Sequence, residues 1–195
     1  MNEYLDRWVA WITEKKQSYQ IHVTNQIIKG LVDKIACMGQ SFLEWGYGTG
    51  YTAIALANLK KQVTAYDPAF GLLEAATEAR AKYLISLGGS VNFTSTLADL
   101  RPADIVYSQG LLEHFDDSTI CQIVREQLVY AKIAVVFSVP SDNYKTIDFG
   151  DERLMGIAEW ERILEPFKVQ LAQLYYYERR QHLMGVIRCQ NSMKN

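Results

Sequence analysis

At 195 residues, with 49% hydrophobic and 22% charged side chains, the sequence is that of an ordinary globular chain able to bury one full core. A net charge of −2 leaves no basic footprint for nucleic acid, and no apolar run reaches the ~20 residues that a membrane helix needs. Cys37, Cys121 and Cys189 lack CxxC spacing, and the acidic start Met1-Asn2-Glu3 lacks a signal-peptide pattern, so free thiols in a reducing cytoplasm are expected.

In chain order, Tyr4, Trp8, Trp11 and Ile12 fall at helical spacing, as do Ile27, Ile28, Leu31, Val32 and Ile35. Residues 1–40 are therefore expected to be helical, the first helix serving as a lid, as plain packing or as a dimer contact. Ser41 to Trp45 reads as a strand, Thr52 to Ala57 as the start of a helix, and Gln62 to Tyr66 as a second strand ended by Asp67-Pro68. A helix with Leu72, Ala76, Ala79 and Tyr83 on one face should stop at Gly88-Gly89. Val91 to Phe93 and Asp104 to Ser108 are further strands, and Asp116-Asp117-Ser118 caps a helix carrying Ile120, Ile123, Val124 and Leu128. The β-branched run Ile133 to Val139 suits a central strand covered on both faces. Glu152 to Glu165 reads as a helix ended by Pro166. Phe167, Val169 and Leu171 then alternate with Lys168 and Gln170 as a half-buried strand, and the polar turn Glu178-Arg179-Arg180-Gln181 leads to a last strand, Leu183 to Cys189. The pattern predicts an α/β fold: a doubly wound, mostly parallel sheet with an antiparallel C-terminal hairpin, in a single domain over residues 1–195. Residues 41–139 would form its ligand-binding core, and residues 140–195 an acceptor-side loop, helix and hairpin.

Glu44-Trp45-Gly46-Tyr47-Gly48-Thr49-Gly50 carries the chemistry. Three glycines at alternate positions between a strand and a helix make a turn whose amides can cradle a nucleotide-like ligand. Asp67 closes the second strand, where doubly wound folds place an acid that accepts hydrogen bonds from ribose hydroxyls. The dinucleotide pattern G-x-G-x-x-G fails here, because Tyr51 stands where its third glycine belongs and Gly50 comes one residue early. Glu44 would repel a pyrophosphate but suits a ligand carrying an ammonium and a sulfonium.

These residues resemble the first motif of the seven-stranded, Rossmann-like class of S-adenosylmethionine-dependent methyltransferases, and the resemblance runs over roughly Ser41 to Val139 plus the terminal hairpin. It implies a seven-stranded sheet with helices on both faces and S-adenosylmethionine as cofactor. The cofactor would be held by Glu44, Gly46, Tyr47, Gly48 and Gly50 around its methionine and sugar, and by Asp67 and Pro68 at the ribose. Ser108 and Gln109, ending Asp104-Ile105-Val106-Tyr107-Ser108, would line cofactor and acceptor. Many members carry an acid that reaches the adenine amino group; counting back from Asp99-Leu100 gives Thr96 instead, so Thr96 and the Leu97 amide are expected there.

Methyl transfer from a sulfonium is an in-line displacement that needs alignment, and a base only where the nucleophile must lose a proton. His114 is the candidate base, with a structural histidine near a helix start as the alternative. O-methyltransferases of ubiquinone synthesis resemble the segment through a Glu-x-x-Glu-His metal motif. Here Gly110 replaces the first acid, leaving Glu113 and His114, and no metal site is expected. Glu113, Tyr144, Asp151 and Arg153 are candidate acceptor contacts, with Asp151 as a helix cap in a solvated loop as the alternative. The short chain favours a small-molecule acceptor; no nucleic-acid or membrane partner is expected, and a monomer or homodimer is. Two other readings stay open: a nicotinamide-dependent oxidoreductase, and a catalytically silent module that binds S-adenosylmethionine.

Overall fold

Strands and helices alternate because short β-branched and aromatic runs are punctuated by glycine, proline and helix-capping acids. The computed structural model describes residues 26–68, 90–145, 151–168 and 171–189. The expected Tyr4–Ile12 helix, the Leu72–Tyr83 helix and Val169-Gln170 lie outside the described residues. Seven strands form one sheet in the order β3-β2-β1-β4-β5-β7-β6, and the chain divides into two compact units, residues 1–100 and 101–195.

In the first unit, helix α1 (Gln26–Ile35) buries Leu31, Val32 and Ile35 at the predicted helical spacing. Strand β1 (Ser41–Trp45) runs parallel to β2 (Gln62–Tyr66), with Ser41 opposite Gln62 and Trp45 opposite Tyr66. The crossover between them is α2 (Tyr51–Asn58), whose Ala53, Ile54 and Leu56 are buried, as a parallel pair requires. Strand β3 (Val91–Thr94) pairs parallel on the other side of β2, and a single 3₁₀ turn follows at Leu97–Asp99.

In the second unit, β4 (Ala103–Gln109) and β5 (Ala131–Pro140) are parallel, joined through α3 (Asp117–Tyr130). Asp116 caps α3 by accepting the Thr119 N–H at 2.8 Å. Residues 134–140 of β5 are buried without interruption, the mark of a strand covered on both faces. Strand β7 (His182–Arg188) lies antiparallel between β5 and β6 (Leu171–Tyr177). Gly185 sits on β7 beneath the Phe137 ring, where a Cβ would lie 2.1 Å from Phe137 Cζ, and Phe137 packs in turn on Trp160.

Two expectations are corrected here. The helix expected over Glu152–Glu165 is only α4 (Ile157–Ile163), starting after Gly156, whose N–H donates to the Glu159 carboxylate. The preceding residues are held elsewhere: Arg153 N–H donates to Glu113 O, and Met155 bridges to Ser141. Phe167 does not begin the hairpin either. It is buried in a 3₁₀ turn, Glu165–Phe167, that Pro166 helps to form, and the strand begins at Leu171. The hairpin turn holds three consecutive non-glycine residues at positive φ: Glu178, Arg179 and Arg180 at 47°, 56° and 67°. Buried Ser141 braces that strained turn, its hydroxyl donating to Arg180 O and its N–H to Gln181 O.

Candidate active site

In the first unit the chain turns sharply at the end of β1. Gly46, Gly48 and Gly50 all adopt positive φ (75°, 48° and 72°), a region that costs any L side chain and that glycine enters freely. Gly46 and Tyr47 N–H groups donate to Tyr66 O, and Gly50 N–H donates to Tyr47 O, so the loop is tied to the end of β2. Asp67, 5% exposed, accepts the Gly48 N–H on Oδ2 at 2.9 Å. Glu44, 3% exposed, accepts the Ala53 N–H on Oε2 at 3.0 Å.

Both acids singled out for ligand binding therefore also organise the loop, a role the sequence reading missed. The signal was present. Helix α2 begins after Gly50, which has no side chain to cap the first-turn amides, so a nearby acceptor had to serve them. Pro68 follows Asp67 and is exposed. After β3, Thr94 Oγ1 donates to Asp99 Oδ2 and accepts the Thr96 N–H, which fixes the turn carrying Thr96 and Leu97. Leu97 is 47% exposed, an apolar side chain turned to solvent at the end of a strand.

In the second unit the candidate residues gather beyond the ends of β4 and β5. Ser108 is buried, and its hydroxyl finds no hydrogen-bond partner among the described residues; Gln109 ends β4 half-buried. Gly110 then turns at φ 62°, its N–H donating to Ser138 O, and Glu113 and His114 follow in a 3₁₀ turn, Leu112–His114. His114 Nδ1 pairs with Asp151 Oδ1 at 2.6 Å, and the histidine side chain is only 4% exposed. Nδ1–H donating to a carboxylate leaves Nε2 as the acceptor nitrogen of the ring. Glu113 Oε1 lies 4.0 Å from that Nε2. Burial pushes the Glu113 carboxyl up to about 8, and the charges of Glu152 and Asp151 push the same way.

Asp151 is thus a partner of His114 and not a helix cap; Gly156 occupies the cap of α4. Arg153 has its guanidinium on Phe115 O and Asp117 Oδ1, both at 2.6 Å, and Arg162 joins it on Asp117 at 2.9 Å. These two cations hold the Asp117 carboxyl below its usual range. Tyr144 meets the buried His182 edge-on at 5.2 Å, and His182 also contacts Tyr177, whose hydroxyl pairs with Ser138. Burial raises the Tyr177 hydroxyl pKa well above its ordinary value. Among the described residues, no three His, Cys, Asp or Glu side chains are placed to hold a metal ion.

Residues 43–126, which span the glycine turn, Asp67 and the Glu113–His114 segment, match the family model of a methyltransferase domain. Over that stretch the chain is similar to the methyltransferase domain family. That domain uses S-adenosylmethionine, and the three positive-φ glycines with the buried Asp67 carboxylate beside them fit it. Solved structures with the same fold include magnesium protoporphyrin IX methyltransferase from Synechocystis PCC 6803 with SAH bound. It is 17% identical with a TM-score of 0.65, the match covering 94% of this chain and 92% of that one. A SAM-dependent methyltransferase from Aquifex aeolicus is 13% identical with a TM-score of 0.69, over 92% and 97% of the two chains. The DhpI–SAH complex is 19% identical with a TM-score of 0.65, over 93% of each. No curated protein sequence is significantly similar to this chain.

Proposed function

We propose that this methyltransferase passes the methyl group of S-adenosylmethionine to a small-molecule acceptor by in-line displacement, with His114 as general base. The observation that carries the reading is the 2.6 Å pairing of His114 Nδ1 with Asp151 Oδ1. A carboxylate on one ring nitrogen fixes the tautomer, orients the imidazole and favours the protonated ring that forms when Nε2 accepts a proton. Gly46, Tyr47, Gly48 and Gly50 cradle the cofactor, Glu44 supports its methionine end, and Asp67 with Pro68 takes the ribose. Leu97 and Thr96 cover the adenine, while Ser108 and Gln109 face the reacting end. The cofactor supplies a methyl already activated by the sulfonium; the protein supplies alignment, a dry site and a base.

Glu113 and Tyr144 contact the acceptor in this reading, and Arg153 fixes the segment that carries Asp151. Residues 1–195 act as one catalytic domain without a metal, as a monomer or homodimer in the cytoplasm. Cys37, Cys121 and Cys189 are free thiols, and no helix among the described residues is long and apolar enough to cross a membrane. Two measurements test the assignment. Calorimetry with S-adenosylhomocysteine should show saturable binding, and incubation with methyl-labelled S-adenosylmethionine and fractionated cell extract should place the label in the small-molecule fraction. Label found only in protein, lipid or nucleic acid would reverse the acceptor assignment.

A further inference from the structure

Among the described residues around His114, the carboxyl groups outnumber the cations. Asp151 holds Nδ1 at 2.6 Å, Glu113 Oε1 stands 4.0 Å from Nε2, and Glu152 lies near enough for its charge to oppose ionisation of Glu113. Arg153, the cation of the same segment, is turned to Phe115 O and Asp117. The Glu113 side chain is 3% exposed, and its Oε2 has no hydrogen-bond partner among the described residues. Buried polar atoms of folded proteins are nearly always paired, so an unpaired carboxyl oxygen beside a candidate base points to a donor brought by a ligand.

We propose that the methyl acceptor is an amine, bound in its ammonium form with an N–H donating to Glu113 Oε2. The inference rests on the methyltransferase reading above. An ammonium answers both features of the cluster, since it supplies the missing donor and a positive charge among carboxyl groups. A hydroxyl supplies the donor alone, and a carboxylate or phosphate adds like charge. The amine must lose a proton before it can attack. That proton passes to His114 Nε2, and the nitrogen lone pair then forms the new N–C bond as the methyl–sulfur bond breaks. The electron pair of the broken bond stays on sulfur, giving neutral S-adenosylhomocysteine and a methylated ammonium.

Binding is tested by titrating benzylammonium, benzyl alcohol and benzoate into the full chain saturated with S-adenosylhomocysteine. Benzylammonium should bind at least tenfold more tightly than either of the others, and Glu113→Gln should abolish that preference while S-adenosylhomocysteine affinity holds. An alcohol that binds as well as the amine, or a preference that survives in Glu113→Gln, overturns the proposal; if the variant does not fold, the wild-type comparison decides. A second arm locates transferred label in extract products by mass spectrometry, and label on nitrogen is expected. Label only on oxygen, sulfur or carbon overturns the amine acceptor and leaves the methyltransferase reading standing. Bound S-adenosylhomocysteine with no label transferred overturns that reading, and the amine with it.

Discussion

The carboxylate of Asp67, at the end of β2, accepts the amide of Gly48 from the turn after β1 at 2.9 Å. That side chain holds the glycine turn, and in the proposed function it also presents acceptor oxygens to the ribose. A hydrogen bond to a charged group contributes about 1.5–3 kcal/mol, so Asp67→Ala should weaken S-adenosylhomocysteine binding by at least about tenfold. Asp67→Asn keeps an oxygen for the Gly48 amide and should fall between wild type and Asp67→Ala. Calorimetry on the three proteins checks this, and equal affinities would remove Asp67 from the cofactor site.

Gly48 makes the companion prediction. Its φ of 48° costs a β-branched side chain at least ~1–2 kcal/mol, and its amide is the one that Asp67 holds. Gly48→Val should abolish S-adenosylhomocysteine binding in a chain that still folds. Near-normal binding in that variant would put the cofactor elsewhere.

Strand β7 tolerates no methyl group at Gly185. A Cβ there would lie 2.1 Å from Phe137 Cζ and 2.2 Å from Cε1, and Phe137 is held against Trp160. Gly185→Ala should destabilise the chain by about 1–3 kcal/mol through overpacking. Gly185→Ala combined with Phe137→Leu should recover part of the loss, read as the denaturation midpoint of each protein.

Local pattern revealed most of the fold. The unbroken apolar run in β5, the capping acid Asp116 and the three spaced glycines each act within a few residues, and the structure places them as expected. The failures share a cause. Residues 152–156 look helical, yet Arg153 is tied to Glu113, Phe115 and Asp117, and Met155 to Ser141, all distant in sequence. The helical period across Glu152–Glu165 carries no trace of those bonds. The same holds at the site: the sequence marks His114 and Asp151 separately, and only tertiary structure brings the two together across the intervening chain.

Glu113 gives the site a pH signature in stability. Burial raises its carboxyl to about 8, whereas an exposed carboxyl titrates near 4.3. Between those values the folded chain keeps a proton that the unfolded chain has released, so stability falls as pH rises through the window. The contribution is fully present below the unfolded pKa and gone once pH passes the folded one. Its size is on the order of a few kcal/mol. Glu113→Gln cannot titrate and should flatten the decline in melting temperature between about pH 5 and pH 8. Parallel curves for wild type and Glu113→Gln would mean that the carboxyl ionises normally.

His114 and Asp151 should behave as one functional unit. Removing a general base lowers turnover by about 10²–10⁴-fold and leaves ligand binding largely intact. His114→Asn should therefore lose turnover on that scale while S-adenosylhomocysteine affinity stays within a few-fold of wild type. Asp151→Asn keeps a group of the same shape but replaces the carboxylate that favours the charged imidazole, so its loss should be smaller and in the same direction. The double variant should be little worse than His114→Asn alone, since Asp151 acts through the ring that is already gone. Turnover against pH for the four proteins separates the roles: losses that multiply in the double variant would mean that Asp151 works independently of the histidine, and unchanged turnover in His114→Asn would leave alignment as the whole of the catalysis.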